Sequence, residues 1–508
     1  MVATTLSARA PATARVEPHD VQGLLRYGYG RQSHASFVLL RVRDAVAARG
    51  WIARAPVASA EALDAPRETA LQLAFTSDGL LALGVAVSTV RAFAPEFVSG
   101  MAGEASRSRR LGDVGPNDPA RWHWGGAARV PHVLVLLYAC PGKLGPFAQG
   151  LRAQWAAGFD ELGQLNSAEY VGTEPFGFAD GLSQPELDWS GASPARTARP
   201  WRYDNRCPLG EFVLGQPNAY GAYTDRPLLP RTGAALGLPV AEDEPDCADL
   251  GANGSYLVLR QLEQDVGGFW RHLDRQAGGD PGLRTRWAEA MVGRALDGRP
   301  LVNPSPRRSP GAESDPRNAF DFDGDPHGVQ CPLGAHIRRA NPRSGDLPPG
   351  RGGVVRRALR TLGLDARALQ RDRVASARFH RLLRRGRTYG PVVSLTEALS
   401  GADPSAPTGL HFIALCANIA RQFEFVQGAW LNAHKFDGLA GEGDPLLGSR
   451  LPGPGGCPTD RFSMPQPTGL DRRLTGLPDF VSVVGGAYFF LPGLRALRYL
   501  AHSAEDAP

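Results

Sequence analysis

The chain is nearly devoid of lysine: of its 56 basic residues, only Lys143 and Lys435 are lysines. Arginine therefore carries the positive charge, and its planar fork is the better bidentate clamp for anions. A bias spread along the whole chain, beside 61 Gly and 43 Pro, reflects base composition as readily as function. Charge of one sign is also lacking, with 56 Lys+Arg against 51 Asp+Glu. Basic residues gather at 107–110, 338–343, 356–360 and 381–387, but acidic residues lie between these groups. No dense basic stripe with interleaved aromatics exists, so a nucleic-acid partner is not expected. No run of about 18 uncharged apolar residues occurs, so no spanning helix and no membrane partner is expected. Six cysteines (Cys140, Cys207, Cys247, Cys331, Cys416, Cys457) form no C-x-x-C pair, so neither a zinc ribbon nor a disulfide framework is indicated. Cys140 and Cys416 lie in apolar runs and read as buried thiols. The opening MVATTLSARAPATARVEPHD has no apolar signal core and no twin arginine, so a cytoplasmic location is expected.

What is present is a chain of 508 residues, 43% hydrophobic, long enough for several domains or for one duplicated fold. Residues 1–17 read as a tail. After it, strand-like and helix-like segments alternate. SFVLLRVRD (36–44) is a strand before a helix, and so is the start of ETALQLAFTSDGLLALG (68–84). HVLVLLYA (132–139) is a buried strand with a helix near 146–157 after it. The second half repeats the layout. GSYLVLRQL (254–262) leads into a helix whose apolar face carries Val266, Phe269 and Trp270. Residues 410–432 pass from strand to helix, and FVSVVGG with AYFFLP (480–492) reads as a hairpin before a last helix. The expectation is an α+β fold used twice, in halves 18–230 and 231–508, with Pro/Gly-rich insertions at 98–128, 193–250 and 296–325. A single larger α/β sheet is the alternative.

Three segments combine turn chemistry with functional groups. In GTEPFGFADGLSQP (172–185), Asp180 is bracketed by Gly177 and Gly181, which lets the backbone approach a ligand closely. Phe176 and Phe178 make its surroundings apolar, which raises a carboxylate's pKa and suits it to proton transfer. A plain Asp-Gly turn explains the same spacing. In CPLGAHIRRANPR (331–343), His336 precedes Arg338, Arg339 and Arg343. An imidazole beside guanidiniums suits a metal ligand whose cofactor also bears carboxylates, as haem does; a buried histidine beside a basic surface is the alternative. In FHRLLRRGRTYGP (379–391), Leu382 and Leu383 are assigned to the core and pocket wall, which turns Arg384 or Arg385 toward a cavity or solvent. An exposed basic helix end stopped by Gly386 is the alternative.

In this order the three segments resemble the dye-decolorizing peroxidases, and the longer cytoplasmic-type members in particular. The resemblance extends to GEFVLGQPN (210–218), GSYLVLRQLEQDVGGFW (254–270), ANIARQFEFVQGAWLN (417–432), FDGLAGEGDPLLG (436–448) and GGAYFFLP (485–492), nearly the whole chain after the tail. It implies two ferredoxin-like halves in a dimeric, barrel-like α+β arrangement, with one haem b held mainly by the C-terminal half. It implies reduction of hydrogen peroxide through a ferryl state and oxidation of dyes, phenols or other aromatic donors.

By the same resemblance, His336 is the iron ligand. Asp180 and Arg384 are the catalytic pair, with Arg385 the alternative to Arg384. Arg338 and Arg343 are propionate partners, and Phe178 and Gly181 lie against the cofactor. The second ring nitrogen of His336 needs an acceptor, and Asn418 or Glu424 is expected to supply it. Tyr389, Trp430 and the pair Trp122/Trp124 are candidate surface sites for oxidising bulky donors. His380 reads as structural. A homo-oligomer is compatible with the sequence. A haem-handling protein with little turnover would need His336 but not Asp180 and Arg384 together. A haem enzyme of another reaction type on the related α+β scaffold would not call for Asp180.

Overall fold

The computed structural model describes residues 16–62, 65–127, 129–191, 205–303, 315–343, 376–401 and 406–502. Most of the expected tail and the 356–360 basic group lie outside these.

The N-terminal half is built from β1 (His34–Val42), β2 (Thr69–Phe75), β3 (Val133–Ala139) and β4 (Phe159–Asn166), with helices α1 (Ala45–Ile52) and α2 (Leu144–Trp155). Every residue of β3 is buried, as its unbroken apolar run requires of a strand covered on both faces. Asp44 ends β1 and starts α1 by accepting the Ala47 amide at 2.9 Å, an N-cap that satisfies a helix-end donor. The C-terminal half has β5 (Ser255–Gln264), α3 (Val266–Gln276), α4 (Pro281–Val292) and α5 (His336–Ala340). After these come β6 (Leu383–Arg384), β7 (Arg387–Tyr389), β8 (Gly409–Cys416), β9 (Val481–Leu491) and α6 (Leu494–His502).

Pairing is antiparallel throughout this sheet. The first half runs β4–β1–β3–β2 and the second β9–β5–β8–β6, with β7 also on β8. With β6 and β7, which both pair with β8, counted as one interrupted strand, both orders are 4-1-3-2, so the duplication inferred from layout is a repeated ferredoxin-like topology. The halves join edge to edge where Phe75 of β2 pairs with Phe490 of β9. One nine-stranded sheet results, its pairing path running open from β6 to β4.

The hairpin expected at 480–492 is not formed. Residues Val481–Leu491 are one strand, with the register slipping between Val483 and Gly485. The paired glycines serve close packing instead of a turn: a Cβ on Gly485 would sit 2.3 Å from Trp124 Nε1. After β8 the chain enters π-helical turns at Ala420–Glu424 and Val426–Leu431. Such wide turns are frequent at functional sites, and here Phe423, Val426, Gln427 and Leu431 reach the wall of a cavity.

Candidate active site

That cavity, about 270 Å³, lies between β5, β8, the π-helical turns and α5 of the C-terminal half and the loop 174–185 of the N-terminal half. Its wall is mostly apolar, with Phe178, Val292, Ile337, Leu410, Phe412 and Leu446. His336, Asp180 and Arg384 open onto it together.

His336 is the first residue of α5. Its Nδ1 is 3.0 Å from Asp444 Oδ2, so a proton on Nδ1 donates to the carboxylate and Nε2 is left with a lone pair. Asp444 is fully buried, and its Oδ1 accepts the amides of Leu446 (2.9 Å) and Leu447 (2.8 Å). Burial alone would push this carboxyl up. The adjacent His336, its hydrogen bond, the Leu447 amide and Arg339 together hold it below the usual range. Asp444 thus stands where Asn418 or Glu424 was expected. Asn418 instead accepts the Arg421 amide at 2.7 Å, while Glu424 is bound by Arg107 (2.7 Å), Arg110 (3.2 Å) and Tyr488 (3.0 Å). Asp444 lies within GEGDPLLG, and a carboxylate two and three residues before the amides it accepts is a local turn signal. That signal was legible, though the long-range partner was not.

Asp180 occupies a tight turn in which Gly177 (φ 99°) and Gly181 (φ 79°) adopt backbone angles that glycine tolerates without strain. The Asp180 amide donates to Gly172 O at 2.9 Å, and its Oδ1 accepts the Gly181 amide at 2.6 Å. That is the Asp-Gly turn considered as the alternative, and it coexists with a carboxylate on the cavity wall. Arg384 Nη1 lies 3.8 Å from Asp180 Oδ1, about 1 Å longer than a tight charge-assisted hydrogen bond.

Strand alternation selects Arg384 over Arg385. Leu382 and Arg384 line the cavity, while Leu383 is buried in the core on the other face. Arg385 reaches the carbonyls of Leu24 (2.8 Å) and Leu25 (3.3 Å). The pocket-wall assignment therefore holds for Leu382 and is corrected for Leu383.

The cationic wall differs from expectation. Arg338 is buried against Asp325 (3.2 Å) and the Cys331 carbonyl (2.9 Å) and does not line the cavity. Arg343 does line it, with its guanidinium 3.6 Å from the Phe320 ring centroid and Nη1 donating to Phe320 O at 2.6 Å. Arg294, absent from the sequence reading, joins it: Nη2 donates to Ser183 Oγ at 2.8 Å. Ser183 Oγ also lies 3.4 Å from Arg343, and its carbonyl 3.5 Å from Arg384. Three guanidiniums so gathered repel one another. Burial first, then Arg343 and Arg384, push Arg294 down to about 9. No local signal marks Arg294, because only the fold brings α4's end to this wall.

Phe178 and Gly181 line the cavity, and His380 does too. The His380 ring stacks on Phe425 with centroids 3.7 Å apart, and burial pushes its pKa down to about 4. The proposed surface aromatics are not at the surface: Tyr389, Trp430, Trp122 and Trp124 are all buried.

These groups fit haem. A histidine with one nitrogen committed to a buried carboxylate is an oriented metal ligand. A wall carrying the guanidiniums of Arg294, Arg343 and Arg384 suits propionates, and the apolar walls between suit a macrocycle. A simpler metal centre is not indicated, since no cluster of three or more His, Cys, Asp or Glu side chains able to hold an ion occurs among the described residues.

No protein-family model matches the chain. The dye-decolorizing peroxidase msp1 of Mycetinis scorodonius is 29% identical over 455 residues, 85% of this chain and 76% of that protein. The multifunctional dye peroxidase DyP2 of an Amycolatopsis species is 29% identical over 454 residues, 85% of this chain and 82% of that one. Among solved structures, a dye-decolorizing peroxidase in complex with 2,6-dimethoxyphenol superposes with a TM-score of 0.70 at 23% identity, covering 96% of this chain and 100% of that one. The DyP-type peroxidase of Anabaena sp. gives 0.68 at 21%, covering 95% and 94%. In sequence the chain is similar to dye-decolorizing peroxidases over most of its length, and its fold is the one those solved structures share.

Proposed function

We propose that the protein is a haem-dependent peroxidase that reduces hydrogen peroxide and oxidises dyes, phenols or other aromatic donors. The observation that carries this reading is the joint presence, on one cavity, of His336 anchored by Asp444 and of Asp180 3.8 Å from Arg384. A haem-handling protein would need only the first of these.

His336 Nε2 would hold the haem and Arg343 and Arg294 would meet its carboxylates, and the bound haem would supply the redox centre between donor and peroxide. The chain's own residues supply the rest. Asp444 makes the imidazole a stronger electron donor by accepting its Nδ1 proton. Asp180 would take a proton from one peroxide oxygen and return it to the other as the O–O bond breaks. Such general acid–base work contributes roughly 10²–10⁴-fold. The Arg384 guanidinium stabilises the negative charge that grows as the O–O bond breaks. Leu382 and Phe412 keep the wall beside these groups apolar, which strengthens both electrostatic effects.

With Tyr389, Trp430, Trp122 and Trp124 buried, a bulky donor would meet the cavity mouth rather than those side chains. A cytoplasmic location is part of the proposal, supported by the buried thiols of Cys331 and Cys416. The test is stopped-flow absorption of the haem-loaded protein. Rapid change of the Soret band with one equivalent of peroxide, reversed by 2,6-dimethoxyphenol, supports the reading, and simple bleaching overturns it.

A further inference from the structure

One carboxylate on the cavity wall has no part in the chemistry above. Glu174 Oε1 accepts the Phe178 amide at 2.9 Å, and Oε2 accepts the Phe176 amide at 3.0 Å and Gln264 Nε2 at 2.9 Å. Its own backbone closes the same turn: the Glu174 amide donates to Phe178 O at 2.9 Å, and the Gly177 amide to Glu174 O at 2.8 Å. Gln264 is the last residue of β5, so the carboxylate ties the loop to the sheet. Phe176 adds a second anchor, its ring 4.6 Å from that of Phe269 on α3. Two residues beyond this knot stands Asp180.

A carboxylate offers about four lone-pair sites. Three are filled by donors, and the fourth can hold a proton without loss of any of them. Burial favours that proton, pushing Glu174 up to about 7 against the pull of its three donors, with a smaller push from Asp180. The same three donors can therefore be held whether or not the group is ionised.

We propose that Glu174 is a positioning residue for the peroxide step: its carboxylate, bridging the Phe176 and Phe178 amides to Gln264, sets where Asp180 stands relative to Arg384. The inference rests on the peroxidase reading and deepens it. Glu174→Gln keeps the size of the side chain but replaces one acceptor oxygen by an NH₂ that faces a donor. Either the Phe178 amide, or the Phe176 amide together with the Gln264 amide group, then loses its acceptor.

The experiment uses the haem-loaded protein and its Glu174→Gln, Glu174→Asp and Gln264→Leu variants. For Glu174→Gln, the rate constant with hydrogen peroxide falls at least tenfold, while kcat/KM for the aromatic donor and the resting Soret band stay within twofold and unshifted. Backbone hydrogen exchange, read with or without haem, speeds up in peptides spanning 172–182 and nowhere else. Glu174→Asp recovers part of the peroxide rate because it keeps both acceptor oxygens. Should Glu174→Gln not yield folded protein, Gln264→Leu decides, with a fall of at least threefold in the peroxide step alone. Unchanged peroxide rate and unchanged local exchange overturn the proposal. So does an equal loss in both half-reactions, which marks a merely structural role. A parent protein that binds haem but does not react with peroxide overturns the peroxidase reading and this role with it.

Discussion

Replacing Asp444 by Asn tests the iron-side half of the site without changing its shape. In the parent, Oδ2 accepts from His336 Nδ1 at 3.0 Å and Oδ1 from two amides at 2.8–2.9 Å. An amide cannot satisfy both sides. If its oxygen faces the ring, its NH₂ confronts the Leu446 and Leu447 amides and leaves them without an acceptor. If its NH₂ faces the ring, Nδ1 must accept, and the proton moves to Nε2, the nitrogen the iron needs. Either outcome forfeits a hydrogen bond to a charged group, about 1.5–3 kcal/mol. That corresponds to roughly 10–100-fold in retention of the metal-bearing group, the range found for partners of metal-bound histidines. The lost negative charge also favours ferrous over ferric iron, raising the potential by about 59 mV for each tenfold difference in loss between the two states. Haem transfer to an excess of an apo acceptor protein and a spectroelectrochemical titration read the two effects. Retention and potential both equal to the parent's would refute the assignment of Asp444.

Four further outcomes follow from the same geometry. Asp180→Asn and Arg384→Leu each slow the reaction with peroxide by about 10²–10⁴-fold, measured by stopped flow, while the resting spectrum is retained; a parent-like rate in both variants removes them from the mechanism. Glu174, pushed up to about 7 from 4.5, is ionised in the unfolded chain from about pH 4.5 but in the folded one only near 7. It therefore removes up to about 3 kcal/mol of stability as pH rises through that window, and thermal unfolding of Glu174→Gln between pH 4.5 and 8 loses this slope. Asp444, held below its usual 3.8, contributes stability that is present above about pH 4 and lost as pH falls through its folded value. Acid unfolding of Asp444→Asn should accordingly show a shallower dependence there. Gly485→Val forces a side chain into Trp124 and lowers the thermal midpoint by several degrees, as about 1–3 kcal/mol of overpacking would.

Much of the fold was legible because its signals are local. The apolar runs at 133–139 and 255–262 are strands buried on both faces, and the Val266, Phe269, Trp270 spacing is the buried face of α3. The error at 480–492 came from reading Gly485-Gly486 as a turn, when the pair makes room for Trp124; that demand comes from a residue 361 positions away in sequence and leaves no local trace. The site divides the same way. Asp180, Arg384 and His336 sit in segments whose turn chemistry marks them. Arg338 was misassigned because sequence proximity to His336 does not show that Asp325 already holds it. Asp444 and Arg294 were missed because their partners, His336 and Ser183, are 108 and 111 residues away.

The central claim is that His336, anchored by Asp444, holds a haem on which peroxide is turned over. It is tested most directly by adding one equivalent of haem, then one of hydrogen peroxide, to the parent and to His336→Ala. The account requires a Soret band in the parent that shifts on peroxide addition and is restored by an aromatic donor, with both the bound Soret spectrum and the shift lost in His336→Ala. A variant that binds haem and reacts with peroxide as the parent does would contradict it.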